Sequence, residues 1–191
     1  MSADSPLRHL PNLICVVRIL LVAPIVWLLL ERDFALALLL VFIAGVSDGL
    51  DGFLAKRFGW HSRLGSLLDP AADKLLLASL FVTLTWLGLV PLWLTIVVVL
   101  RDVLLSAGSL YWNAFVERLT ARPSLVSKLN TGLQLAYVLA VMTSVAFAWP
   151  PALWVEIAGA LVFVSCCVSG IDYALSWSRR IVGLRGRAEA A

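Results

Sequence analysis

The stretch VSDGLDGFLAKRFGWHSRLGSLLDPAADKLLL, residues 46–77, sets four aspartates among apolar residues. Asp48 and Asp51 are three positions apart, and Asp69 and Asp73 are four apart. Both spacings put a pair on one face of a helix. A short basic connection, with Lys56, Arg57 and Arg63, separates the pairs. The pattern predicts two antiparallel helices whose adjoining ends bring four carboxylates to one depth.

The surrounding chain makes that depth a membrane depth. Of the 191 residues, 61% are hydrophobic and 14% are charged, and the mean hydropathy is +0.96. Soluble domains hold roughly 45–50% apolar and about 25% charged residues. The expected fold class is therefore an all-α integral membrane protein, a single domain over residues 1–191. A span needs about 20 apolar residues, and six segments qualify, at roughly 11–31, 34–55, 64–88, 91–113, 124–148 and 151–177. Breaks at Glu31-Arg32-Asp33, at Gly88 to Pro91 and at Trp149-Pro150-Pro151 separate neighbouring spans. No small-residue cleavage pattern follows the first run, so it reads as a retained helix. Cys15, Cys166 and Cys167 lie in apolar runs without metal-ligand spacing and read as packing residues.

Orientation follows from the basic residues. Arg8, the 56–63 loop, the 118–128 region and a basic tail at 178–191 share one side, and only Arg32 lies on the other. A six-helix bundle then has both termini in the cytoplasm. Tryptophans near the predicted span ends form an interfacial belt. The net charge of +3 suits anionic lipid rather than nucleic acid, because the basic residues sit at the ends of membrane helices.

Four carboxylates in a partly buried site need compensation. Divalent cations supply it, and an all-oxygen donor set favours Mg²⁺ or Mn²⁺ over zinc. Two such ions would leave coordination positions open for a phosphate. Gly45, Gly49, Gly52 and Ala55 recur along the second helix at spacings of four and three. Such a stripe serves close helix packing, or it lets a flat ligand lie against the helix.

The run Asp48-x2-Asp51-Gly52-x2-Ala55-Lys56-x8-Gly65-x3-Asp69-x3-Asp73 resembles the signature of the CDP-alcohol phosphatidyltransferase family, D-x2-D-G-x2-A-R-x8-G-x3-D-x3-D. Seven of the eight fixed positions match, and Lys56 stands where the family has Arg. An LPN…R start to the first helix, Leu10 to Arg18, extends the resemblance over nearly the whole chain. The resemblance implies transfer of a phosphatidyl group from CDP-diacylglycerol to an alcohol, with release of CMP. It implies that Asp48, Asp51, Asp69 and Asp73 bind two divalent cations and that Asp73 is also the general base. It places Gly52, Ala55 and Gly65 at the cytidine and Lys56 at a phosphate. It further implies a homodimer. The expected location is a bacterial inner membrane, with the active site on the cytoplasmic side that the basic residues mark. Lys56 removes the bidentate phosphate contact that an Arg would make.

The acceptor is read from the second half of the chain. Arg101-Asp102 lies well inside the fourth span, where ionisable residues mark function by default. A structural Arg–Asp pair is the alternative there. Arg18 could snorkel to headgroups or face a cavity. With Arg122 and Lys128, these residues point to an anionic acceptor. RDVLLSAGSLY, residues 101–111, and SKLNTGLQL, residues 127–135, are similar to the CMP-forming cardiolipin synthase branch. The expected acceptor is then phosphatidylglycerol, giving cardiolipin, with glycerol 3-phosphate as the alternative. A cation-path transporter is the competing class, but all four aspartates share one depth. An inactive lipid-binding homologue is a third possibility, one that the intact aspartates oppose.

Overall fold

The computed structural model describes the backbone over residues 10–58, 65–115 and 125–188, and side chains over 16–47, 72–108 and 127–173. The backbone forms six α-helices: α1 (Leu10–Leu30), α2 (Phe34–Phe58), α3 (Gly65–Trp86), α4 (Leu92–Phe115), α5 (Leu125–Phe147) and α6 (Ala152–Ala188). No strand occurs among the described residues. Each helix falls within a few residues of an expected span, except at the C-terminus. There α6 continues through most of the stretch read from the sequence as a basic tail.

Helix ends follow local chemistry. After α1, Arg32 turns into the left-handed region at φ 63°. Its N–H donates to Leu29 O at 3.0 Å, and the Asp33 N–H donates to Leu28 O at 2.9 Å. These two bonds satisfy carbonyls that a helix end leaves open. Asp33 then caps α2, its Oδ1 accepting from the Leu36 N–H at 3.1 Å. Gly88 repeats the first device after α3, at φ 75°, with Gly88 N–H to Thr85 O and Leu89 N–H to Leu84 O, both 2.9 Å. A residue without Cβ adopts that φ at little cost.

The chain divides into two compact units, residues 1–91 with 138–151, and residues 92–137 with 152–191. In the first unit α1 packs against both α2 and α3. Ala37, Val41 and Ala44 make the buried stripe of α2, and Leu76, Leu80 and Leu84 that of α3. In the second unit α4 packs against α6, with Trp93 edge-on to Phe163 at 5.4 Å between ring centroids.

The opposite faces are apolar and exposed. On α6, Leu153, Ile157, Leu161, Val164, Val168 and Ile171 form one such stripe. Exposed apolar surface of this extent marks a membrane or partner surface. Among the described residues, Ser127–Phe147 and Ala152–Tyr173 are long and apolar enough to cross a membrane, and Val16–Leu30 and Phe34–Ser47 are shorter apolar segments. Trp27, Trp86, Trp93, Trp149 and Trp154 are all exposed, as residues of an interfacial belt must be.

Candidate active site

The backbone is helical at all four aspartates, so each pair keeps the register expected of it. The side chains of Asp48, Asp51, Asp69, Gly52, Ala55, Lys56 and Gly65 lie outside the described residues, as does Arg122 altogether. Asp73 is described. Its carboxylate is 41% exposed and accepts a hydrogen bond from Nη1 of Arg18, which is 2% exposed. Arg18 therefore does not snorkel. Its charge is held inside the first unit, 55 positions from its partner in sequence. An enclosed guanidinium needs an anion, and Asp73, itself partly exposed, provides one.

The second unit holds another buried arginine. Arg101, 8% exposed, donates Nη1 to Asp102 Oδ1 at 2.6 Å. Its Nη2 donates to Ser127 Oγ at 3.2 Å and to Ser169 Oγ. The Arg–Asp pairing expected as one alternative is thus present, extended by two hydroxyls from α5 and α6. Lys128, beside Ser127, is exposed.

One turn further along α5 lies a polar group that the sequence reading left unassigned. Asn130 and Gln134 are both fully buried. Asn130 Oδ1 accepts from Ser165 Oγ at 2.6 Å and from Cys166 Sγ at 3.3 Å. Gln134 Nε2 donates to Cys166 Sγ at 3.6 Å. Cys166 is therefore a polar partner as well as a packing residue. The spacing of Ser127, Asn130 and Gln134 carried the signal, since positions i, i+3 and i+7 share one helix face.

The glycine stripe divides. A Cβ at Gly45 would meet nothing within 4 Å, so close helix packing does not explain that glycine. The side chains of the stripe's other members lie outside the described residues.

A family model described as CDP-alcohol phosphatidyltransferase matches residues 8–169. The chain belongs to the CDP-alcohol phosphatidyltransferase family. This family is membrane-associated and generally depends on a divalent metal. Similar proteins include a human cardiolipin synthase (CMP-forming), 32% identical over 86% of this chain and 60% of the relative. A Streptomyces coelicolor cardiolipin synthase (CMP-forming) is 44% identical over 50% of this chain and 47% of its own length. An Escherichia coli CDP-diacylglycerol–glycerol-3-phosphate 3-phosphatidyltransferase is 30% identical over 84% of this chain and 88% of the relative. The chain spans about three-fifths of the length of the human and rat synthases.

The residue types of the signature suit the family's metal requirement. Four carboxylates without His or Cys are hard oxygen ligands. Asp73 remains partly open although it is paired with Arg18. Among the described residues no group of three or more potential ligands occurs; the side chains of Asp48, Asp51 and Asp69 are not among them.

Proposed function

We propose that this chain transfers a phosphatidyl group from CDP-diacylglycerol to an anionic glycerol-type alcohol and releases CMP. The observation that carries this reading is Asp73, the last signature position, ion-paired to buried Arg18 while its side chain stays 41% exposed. In the reaction Asp73 takes the proton of the acceptor hydroxyl. The acceptor oxygen bonds to the phosphatidyl phosphorus, and the bond from that phosphorus to the CMP oxygen breaks. Arg18 fixes the carboxylate's direction. Read from the sequence as an acceptor contact, it acts here through Asp73 as a positioning residue. Asp48, Asp51, Asp69 and Asp73 would hold two divalent cations, Mg²⁺ or Mn²⁺, which supply neutralisation of the donor diphosphate. Gly52, Ala55 and Gly65 are assigned to the cytidine and Lys56 to a phosphate. Arg101, Arg122 and Lys128 are assigned to the acceptor's negative charge.

In this reading all six helices span a bacterial inner membrane, the protein is a homodimer, and both termini and the active site face the cytoplasm. The exposed apolar stripes and the one-sided distribution of basic residues support it. Phosphatidylglycerol is the first acceptor, supported by the resemblance to CMP-forming cardiolipin synthases. Glycerol 3-phosphate is the second, favoured by the Escherichia coli relative, which this chain covers almost end to end.

Purified protein with Mg²⁺ or Mn²⁺ is to be given labelled CDP-diacylglycerol and, separately, each acceptor. CMP release and cardiolipin from phosphatidylglycerol are expected. Product from glycerol 3-phosphate alone would replace the first acceptor by the second. A folded protein that releases CMP with neither acceptor would sink the transferase reading.

A further inference from the structure

We infer that Asn130 and Gln134 form a subsite for one hydroxyl group, the secondary hydroxyl of the glycerol acceptor that does not react. The inference rests on the transferase reading above. Its basis is what the two amides leave over. Both side chains are fully buried, and on the α6 side they are satisfied by Ser165 and Cys166. Asn130 Nδ2 and Gln134 Oε1, however, are buried without a hydrogen-bond partner. One is a donor and the other an acceptor. They stand on consecutive turns of one helix face.

A hydroxyl complements this set, because it accepts through its oxygen and donates through its hydrogen. Neither an anion nor an ammonium does. Two amides whose only task was to tie α5 to α6 would satisfy each other or their neighbours. An unfilled buried donor or acceptor is unfavourable, more so in a segment apolar enough to cross a membrane, where no bulk water can fill it. Two such groups, on consecutive turns of one helix face and of opposite sense, point to a guest.

The neighbouring turn says which guest. Ser127, three positions before Asn130, bonds Arg101, and three residues of helix rise about 4.5 Å. Arg101 Nε is likewise buried without a partner. Arg101, on α4, thus reaches α5 through Ser127, one turn before the hydroxyl-directed pair. That interval is comparable to the reach from a phosphate to the neighbouring carbinol of a glycerol. Phosphatidylglycerol and glycerol 3-phosphate both carry a secondary hydroxyl next to the primary one that attacks. The two sources therefore present the same group, and it leaves the reaction unchanged.

The test removes that hydroxyl. Full-length protein with Mg²⁺ and CDP-diacylglycerol is assayed on phosphatidylglycerol and on phosphatidyl-1,3-propanediol, and in parallel arms on glycerol 3-phosphate and 3-hydroxypropyl phosphate. Wild type should lose roughly tenfold or more in kcat/KM on the acceptor lacking the hydroxyl, because the site's polar groups are then left unfilled. Gln134→Met keeps the volume and removes the acceptor, and Asn130→Ala removes the donor. Each should erase most of the discrimination, leaving the KM for CDP-diacylglycerol within about twofold. A purely structural role would lower activity on both acceptors alike and leave their ratio intact. Equal wild-type turnover of both acceptors, or full discrimination retained in both variants, would overturn the inference and assign the gap to a water. Absence of CMP release from any glycerol acceptor would defeat the transferase reading and this inference with it. Turnover without discrimination defeats the inference alone.

Discussion

Each unit of the chain buries an arginine against an aspartate, and the two pairs differ in what they leave open. In the first unit Arg18 is 2% exposed and Asp73 41%. In the second, Arg101 and Asp102 are 8% and 15% exposed, and two serines enclose the guanidinium further. The first pair joins α1 to α3, with the Asp73 side chain partly exposed. The second joins adjacent residues of α4 and turns its guanidinium towards hydroxyls. The same two residue types thus make a partly exposed carboxylate in one place and an enclosed cation in the other. Partner position and enclosure decide which.

Substitution of the two aspartates tests that contrast most severely. Asp73→Asn should cut turnover by about 10²–10⁴-fold, the usual contribution of a positioned general base. Asp102→Asn should leave kcat within roughly tenfold and raise the acceptor KM instead, as the role proposed for its partner Arg101 requires. CMP release measured against acceptor concentration separates the two. Near-normal turnover of Asp73→Asn in folded protein would remove Asp73 from the chemistry.

Stability reads the same pair from its other side. Removing one partner of an enclosed ion pair typically costs about 3–5 kcal/mol, and partial exposure of Asp73 moves this case below that range. The loss should be unequal. Asp73→Asn takes a carboxylate from a side chain that is 2% exposed, whereas Arg18→Met takes a cation from one that is 41% exposed. Thermal unfolding in detergent should therefore show the lower midpoint for Asp73→Asn. The reverse order would mean that Asp73, not Arg18, is the group the fold shelters.

Much of this was legible in the sequence, and the limits are physical. Six helices followed from apolar runs and from breaks such as Gly88 to Pro91. The end of α6 did not, because apolarity marks where a membrane ends while helical backbone needs only the absence of a breaker. Proline is absent after Pro151, and the backbone stays helical to Ala188. Arg18 and Arg101 stood out as charges inside spans. Their distant partners did not: Asp73 is 55 positions from Arg18, and Ser127 and Ser169 are 26 and 68 from Arg101. No helical spacing rule reaches that far. Asn130 and Gln134 were visible as letters of a motif, but the unfilled donor and acceptor become visible only once α6 has claimed their other atoms.

A smaller substitution weighs the anchored side. Arg101→Lys keeps the charge and loses the fork that serves Asp102 and two serines at once. The acceptor KM should rise roughly tenfold, about 1.4 kcal/mol, while the KM for CDP-diacylglycerol holds. Equal rises in both constants would mean that Arg101 supports the fold and not the acceptor.

The smallest effect separates the two units by their glycines. A Cβ at Gly159 would stand 3.2 Å from Tyr137 Cε2 and 3.5 Å from Cζ and Oη. Tyr137 is buried, so its ring must give by a few tenths of an ångström within a filled region. A Cβ at Gly45 would meet nothing within 4 Å. Alanine gains about 0.8–1.0 kcal/mol over glycine inside a helix. Gly45→Ala should keep that gain, and Gly159→Ala should spend most of it on displacing the ring. The expected order is a raised unfolding midpoint for Gly45→Ala and one near wild type for Gly159→Ala. A clear loss of stability in Gly45→Ala would show that this exposed face of α2 is covered in the membrane, and comparing that loss at low and high protein-to-detergent ratio would show whether a second copy of the chain covers it.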